Sequence, residues 1–109
     1  MRRPVEPNVI DVAADFTRYP GGRYKTDGIY SGARFRDDLL LPELRKGGTV
    51  VIKLDGTMGY GSSFLEEVFG GLARGGEFTP EDLQSRLILE TSDRSLHDEI
   101  VEYLTAVRH

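Results

Sequence analysis

Cysteine is absent from this 109-residue chain, which removes disulfides, thiolate zinc sites and thiol nucleophiles together. Histidine is nearly absent too. His97 and His109 are too few for a nitrogen-ligated metal centre, so neither a metal nor another cofactor is expected. No apolar run approaches the roughly 20 residues that cross a bilayer, and Met1-Arg2-Arg3-Pro4 is not followed by an apolar signal core. The expectation is a cytoplasmic protein without a membrane partner. Positive charge is in deficit, with 14 Lys+Arg against 18 Asp+Glu and a formal net charge of −4, which argues against a broad phosphate-binding surface and a nucleic-acid partner. Internal repeats, low-complexity tracts and linkers are missing, and the length suits one core, so residues 1–109 read as a single domain.

What the chain does have is an ordinary globular balance, 39% hydrophobic and 29% charged, together with 13 glycines that fall in clusters. Asn8 to Phe16 contains an apolar alternation suited to a half-buried strand. Tyr19-Pro20-Gly21-Gly22 then supplies a turn, and Arg23 to Thr26 would return as the second arm of a hairpin closed by Asp27-Gly28. Ser31 can cap a helix from about Gly32 to Leu40 with Phe35 and Leu39 on one face, and Pro42 is expected to interrupt it, so that Pro42 to Lys46 forms a separate turn. Thr49 to Leu54 is nearly continuous in apolar character and reads as a central strand covered on both faces.

After the loop Asp55-Gly56-Thr57-Met58-Gly59-Tyr60-Gly61, Ser63 and Glu66 match a capping box and open a helix. Phe64, Leu65, Val68, Phe69, Leu72 and Ala73 share one half of its wheel, Glu66, Glu67, Gly70 and Arg74 point away, and Gly75-Gly76 ends it. Thr79-Pro80 opens a short helix to about Ser85, Leu87 to Glu90 reads as a buried strand, and Ser95 can cap a last helix whose Leu96, Ile100, Tyr103, Leu104 and Val107 form one stripe. The order gives a small α/β layer: a mixed sheet, made of the N-terminal hairpin plus parallel strands, packed with helices.

Chemistry is expected where the central strand runs through a glycine-rich loop into a helix start, since free N–H groups and the positive end of the helix dipole meet there. Gly56, Gly59 and Gly61 lack the Gly-Lys-Ser/Thr ending of a phosphate-binding loop, and no lysine follows them. Arg23, Tyr24, Asp27, Arg34 and Arg36 form a mixed-charge set that could hold an anion or tie loops together.

The segment from Val50 through Ser63-Phe64-Leu65 resembles STAS domains, the anti-sigma-factor antagonists, and more closely a STAS-like bacterial domain of unknown function. The resemblance rests on Gly22-Arg23-Tyr24, Asp27-Gly28, Ser31-Gly32, Phe35-Arg36, Leu41-Pro42-Glu43-Leu44, Leu54-Asp55-Gly56, Gly61 to Glu67 and Phe69-Gly70-Gly71-Leu72, and beyond Leu72 on element order alone. It implies a STAS-like fold and a non-enzymatic regulatory module that binds another protein in bacterial signalling, such as a GHKL-type ATPase or kinase or a sigma-regulatory factor. It also implies phosphorylation of Ser63 or its neighbour Ser62. Gly61 and Phe64 depart from the antagonist motif, which carries Asp and Gly there.

A partner surface is expected on Tyr60, Ser62, Ser63, Glu67, Gly70 and Gly71. Tyr60 has little local chain to bury it, and the two glycines would leave a shallow groove on the helix. The alternative is a phosphate sensor or enzyme that uses the Asp55–Ser63 loop with Arg23, Tyr24, Asp27, Arg36 and Asp55.

Overall fold

The structure, a computed structural model, describes residues 8–106. Val107 and His109 lie outside this span. Three short strands, β1 (Asn8–Asp11), β2 (Val50–Lys53) and β3 (Leu87–Glu90), form one sheet in the order β1-β2-β3. Both pairings are parallel, with Asn8 opposite Val50 and Val50 opposite Leu87.

The expected hairpin is therefore not formed. β1 ends at Asp11, whose carboxylate accepts from the Ala14 N–H and starts a wide π-helical turn, Val12–Phe16. Arg23 to Thr26 are not a strand, because the Asp27 carboxylate accepts from the Arg23 and Tyr24 N–H groups at 3.2 and 2.8 Å and winds Lys25–Asp27 into a 3-10 turn. The chain from Thr17 to Tyr30 is a loop closed on itself by the Gly21 N–H to Tyr30 carbonyl bond.

Helix α1 spans residues 32–45, as Gly32–Arg34, a π-helical segment Phe35–Leu40, and Leu41–Arg45. Ser31 caps it as expected, its hydroxyl accepting from the Arg34 N–H. Pro42 does not interrupt it. Leu41 keeps α geometry and donates to the Arg36 carbonyl five residues back, so the helix is already in its wider register where the proline lacks a donor.

Helix α2 spans residues 62–75, as Ser62–Leu65, a π segment Glu66–Gly70, and Gly71–Gly75. Helix α3 (Pro80–Arg86) carries the expected Thr79 cap, which accepts from the Asp82 N–H at 3.0 Å. Helix α4 (Arg94–Thr105) is capped by Asp93 rather than Ser95, since the Asp93 carboxylate reaches the Leu96 N–H two residues sooner.

The core follows the periodicity of the sequence. Ile10, Val50, Ile52 and Leu87 line one face of the sheet and are buried against Phe35, Leu40, Phe64, Val68, Leu83, Ile100 and Leu104 from the helices. Among the described residues no helix covers the opposite face: Val9 and Ile88, in register through Val51, remain 47% and 49% exposed. β2 is thus covered by helices on one face only among the described residues. A sheet ordered 1-2-3 whose crossovers share one hand puts every connecting helix on the same side.

Candidate functional site

The carboxyl ends of the three strands lie at one edge of the sheet, where the turn after Asp11, the loop after Lys53 and the turn after Glu90 meet. Gly56 and Gly59 hold φ of +102° and +125°, values that side-chain-bearing residues rarely adopt, and so bend the Asp55–Gly61 loop back toward the sheet. Asp55 ties this loop to the next one: its Oδ1 accepts from the Thr91 hydroxyl at 2.6 Å and its Oδ2 from the Ser92 N–H at 3.0 Å. Those two bonds, the hydroxyl first, hold its carboxyl below the usual range. The loop, this turn and the first turns of α4 enclose a cleft of about 460 Å³, with Leu54, Tyr60 and Leu96 as apolar lining and Asp55, Asp93 and Glu99 as its charged groups.

Tyr60 is not an exposed aromatic. Its hydroxyl donates to the Leu54 carbonyl at 2.6 Å and its ring lies against Phe64, with centroids 6.0 Å apart. Burial, reinforced by the negative charges of Asp55 and Asp11, pushes its phenol pKa up. The short loop folds the ring inward because the Leu54 carbonyl, past the last strand residue, needs a donor.

Ser62 and Ser63 are exposed at the start of α2. Gly61, not Ser63, is the N-cap, and no side chain caps this end. Ser63 lies within the first turn, so its hydroxyl cannot play the capping-box role expected of it. The bond Tyr103 donates to Glu99 raises the phenol pKa, and Ser62 lowers it in part.

The remaining expected residues gather elsewhere, between α1 and α2. Glu67 is buried, its Oε2 accepting from Arg36 Nη1 at 2.6 Å and its Oε1 from Arg23 at 3.3 Å, while the same Arg36 nitrogen reaches the Glu67 carbonyl at 2.9 Å. Glu66 pairs with Arg23 at 2.5 Å and with Arg74. The Arg74 and Arg23 hydrogen bonds hold the Glu66 carboxyl below its usual range, against the opposing effect of burial. Burial alone would lower the Arg36 pKa, yet Glu67 and Asp37 raise it on balance. Arg34 stands apart, paired with Asp38 at 3.2 Å.

This lattice bears on three expectations. Gly70 and Gly71 are seats for the domain's own side chains, since a Cβ on Gly70 would meet Glu66 and Arg74 and one on Gly71 would meet the Arg36 guanidinium, and each also lines a surface hollow, Gly71 one of about 330 Å³ and Gly70 one of about 430 Å³. Glu67 points into the α1 interface although it lies off the apolar stripe, because the arginines of a neighbouring segment cover it. Nor do Arg23 and Arg36 join Asp55 to hold an anion. Asp27 is spent on its own turn, Tyr24 is exposed beside the Arg23 guanidinium, and Asp55 faces a cleft that no arginine lines among the described residues.

What sequence reading missed was the pairing of Arg36 with Glu67 and of Arg23 with Glu66, 31 and 43 positions apart. The available signal was the glycine pair itself, which is costly inside a helix unless something must lie close against it.

Residues 31–97 match the model of a family described as a STAS-like domain of unknown function (DUF4325). The chain belongs to this STAS-like family. The match starts at Ser31, so the Gly22–Gly28 part of the resemblance falls outside it, and it continues through β3 into α4. The α/β layer of a three-stranded sheet and helices agrees with a STAS-like domain. No curated protein and no solved structure matches the chain. Among the described residues no helix is long and apolar enough to cross a membrane.

Proposed function

We propose that this STAS-like domain is a regulatory module that acts by binding another protein rather than by catalysis, in the manner of an anti-sigma-factor antagonist in the bacterial cytoplasm. One observation carries the reading. Tyr19, Ile29 and Met58 are 67%, 65% and 71% exposed on the loops beside the carboxyl ends of the strands. The Met58 N–H donates to the Arg18 carbonyl, which ties the Met58 loop to the segment that carries Tyr19, and Tyr30 is held by its edge-on contact with Phe16. Apolar side chains held out on well-anchored loops are typical partner anchors. This lip takes the place of the inward-turned Tyr60 as the apolar anchor of the contact surface.

Ser62 and Ser63 supply a control point for such a module. A phosphate there adds about −1.5 to −2 charge beside helix N–H groups that no side chain caps. Glu66 and Glu67 oppose it little, because Arg23, Arg36 and Arg74 compensate their charge. A GHKL-type kinase is the modifying partner that the family resemblance suggests.

A photo-crosslinker at position 58, used in cells of the source organism, tests the reading. One discrete protein should be captured, and lost when Tyr19→Ser is added. Capture indistinguishable from that of a crosslinker at exposed Gln84 overturns the binding reading. Mass spectrometry of the native protein should find phosphate on Ser62 or Ser63, and an unmodified helix start under every growth condition removes the switch.

A further inference from the structure

Of the two outer strands of the sheet, one is guarded and the other is not. The Asn8 N–H donates to the Thr49 carbonyl and the Leu54 N–H to the Glu90 carbonyl. The N–H and C=O of a strand residue point to the same side and successive residues alternate, so Asp11 of β1, and Leu87 and Leu89 of β3, turn their backbone groups away from the sheet. On β1 the Asp15 carboxylate folds back and accepts from the Asp11 N–H at 2.8 Å. On β3 the Leu87 N–H is spent on the Leu83 carbonyl of α3. The Leu87 carbonyl and both backbone groups of Leu89 have no partner among the described residues. β3 also lacks lysine and proline, the usual guards of a sheet edge.

The side chains at this edge form unfinished rows. On the face that no described helix covers, Val9, Val51 and Ile88 make an apolar row that ends on half-exposed Ile88. Asp11, Lys53 and Glu90 make a second row that alternates in sign. Glu90 ends it exposed, with no ion pair among the described residues.

Resting on the reading of the domain as a protein-binding module, we infer that β3 takes up an extended segment of the partner protein as a fourth strand, with a lysine or arginine opposite Glu90 and apolar residues opposite Leu89, Ile88 and Leu87. Main-chain bonds to Leu89 and to the Leu87 carbonyl hold the segment, and its side chains continue both rows. An antiparallel segment, whose pairing is the more stable per residue, reads basic-apolar-apolar-apolar. A second copy of this chain fits less well. Antiparallel pairing of β3 with itself about a two-fold axis sets Glu90 against Ile88, Arg86 or Glu90 of the copy, and Arg86 is already spent on the Leu44 and Gly48 carbonyls and on Asp82.

The test is amide hydrogen exchange and chemical-shift titration of the full chain with the peptide acetyl-Thr-Lys-Val-Ile-Val-Thr-amide. Exchange at Leu89 should slow in proportion to the fraction bound, because its N–H gains an acceptor. The same peptide N-methylated at its first valine keeps every side chain but loses the donor to the Leu89 carbonyl, and its protection of Leu89 should vanish. A glutamate in place of the peptide's lysine should weaken binding about threefold to tenfold, and Glu90→Lys, a change at an exposed position, should reverse that preference with the thermal midpoint held. Equal binding of the N-methylated peptide, shifts centred on Val9 and the β1 edge, or no protection of Leu89 up to the peptide's solubility overturns the inference. So does a dimer of the chain alone that Ile88→Lys dissociates, which would assign the edge to a second copy. If position 58 captures a protein while the peptide leaves Leu89 untouched, the binding reading stands and the fourth-strand inference falls. If Leu89 is protected but position 58 captures nothing, the reverse holds.

Discussion

The α1–α2 interface and the loop edge of the sheet use the same materials, charged residues and glycines, to opposite ends. At the interface Arg23, Arg36 and Arg74 answer Glu66 and Glu67, and Gly70 and Gly71 make room for the guanidinium groups. At the loop edge Asp55, Asp93 and Glu99 share a cleft that no lysine or arginine lines among the described residues, while Gly56 and Gly59 hold a loop that carries an exposed methionine. Charge that finds its counter-charge inside the domain stabilises the fold; charge left unanswered is available to something else.

The sharpest test of that contrast removes the hub of the lattice. Glu67→Ala takes from Arg36, whose side chain is 18% exposed, its carboxylate across the interface and leaves it Asp37 alone, and should cost about 2 to 3 kcal/mol in denaturant unfolding. An unchanged midpoint would mean that the lattice is decorative. Gly71→Leu should cost about 1 to 3 kcal/mol, because displacing Arg36 from its seat outweighs the gain in helix propensity of up to about 1 kcal/mol. A more stable variant would show that Arg36 does not need the space Gly71 leaves.

Acid should act on the same side of the molecule. Glu66 titrates below its unfolded value, so its contribution is complete above that value, near 4.5, and is lost as pH falls through the lower folded value. Stability measured from pH 6 down to 3 should decline, and Glu66→Gln should flatten the decline. A parallel fall in both proteins would place the acid sensitivity elsewhere. The smallest effect belongs to the loop edge. Ser63→Asp places a carboxylate in an uncapped first turn and should change the midpoint by no more than a gain of about 0.3 to 1 kcal/mol. A clear loss would show that Ser63 carries structural weight after all.

Local chemistry was legible and long-range partnership was not. Ser31 and Thr79 cap their helices as their types and spacing suggest, and Phe64, Leu65, Val68, Phe69 and Leu72 bury the stripe that a 3.6-residue period marks out. The alternation after Asn8 identified a strand but could not name its neighbour, and the intervening Pro-Gly-Gly turn suggested the nearest segment rather than Val50. Pro42 misled because a preceding π turn is invisible in composition. At the site, Ser62 and Ser63 emerge exposed at a helix start as read, whereas Tyr60 and Glu67 turn inward toward partners that only the folded chain supplies.

The all-parallel order also fixes how this chain must assemble in time. Asn8 meets Val50 and Val50 meets Leu87, so each strand pairing closes a loop of roughly 40 residues and no two strands can zip from a tight turn. Helices can form locally within microseconds, but the sheet must wait for chain ends to meet. Folding should be paced by those closures, with α1 and α2 shortening the search by packing first. Until β2 finds both neighbours, its Val50, Val51 and Ile52 remain open to pairing with another nascent chain, which makes synthesis the interval in which this domain is most prone to aggregate.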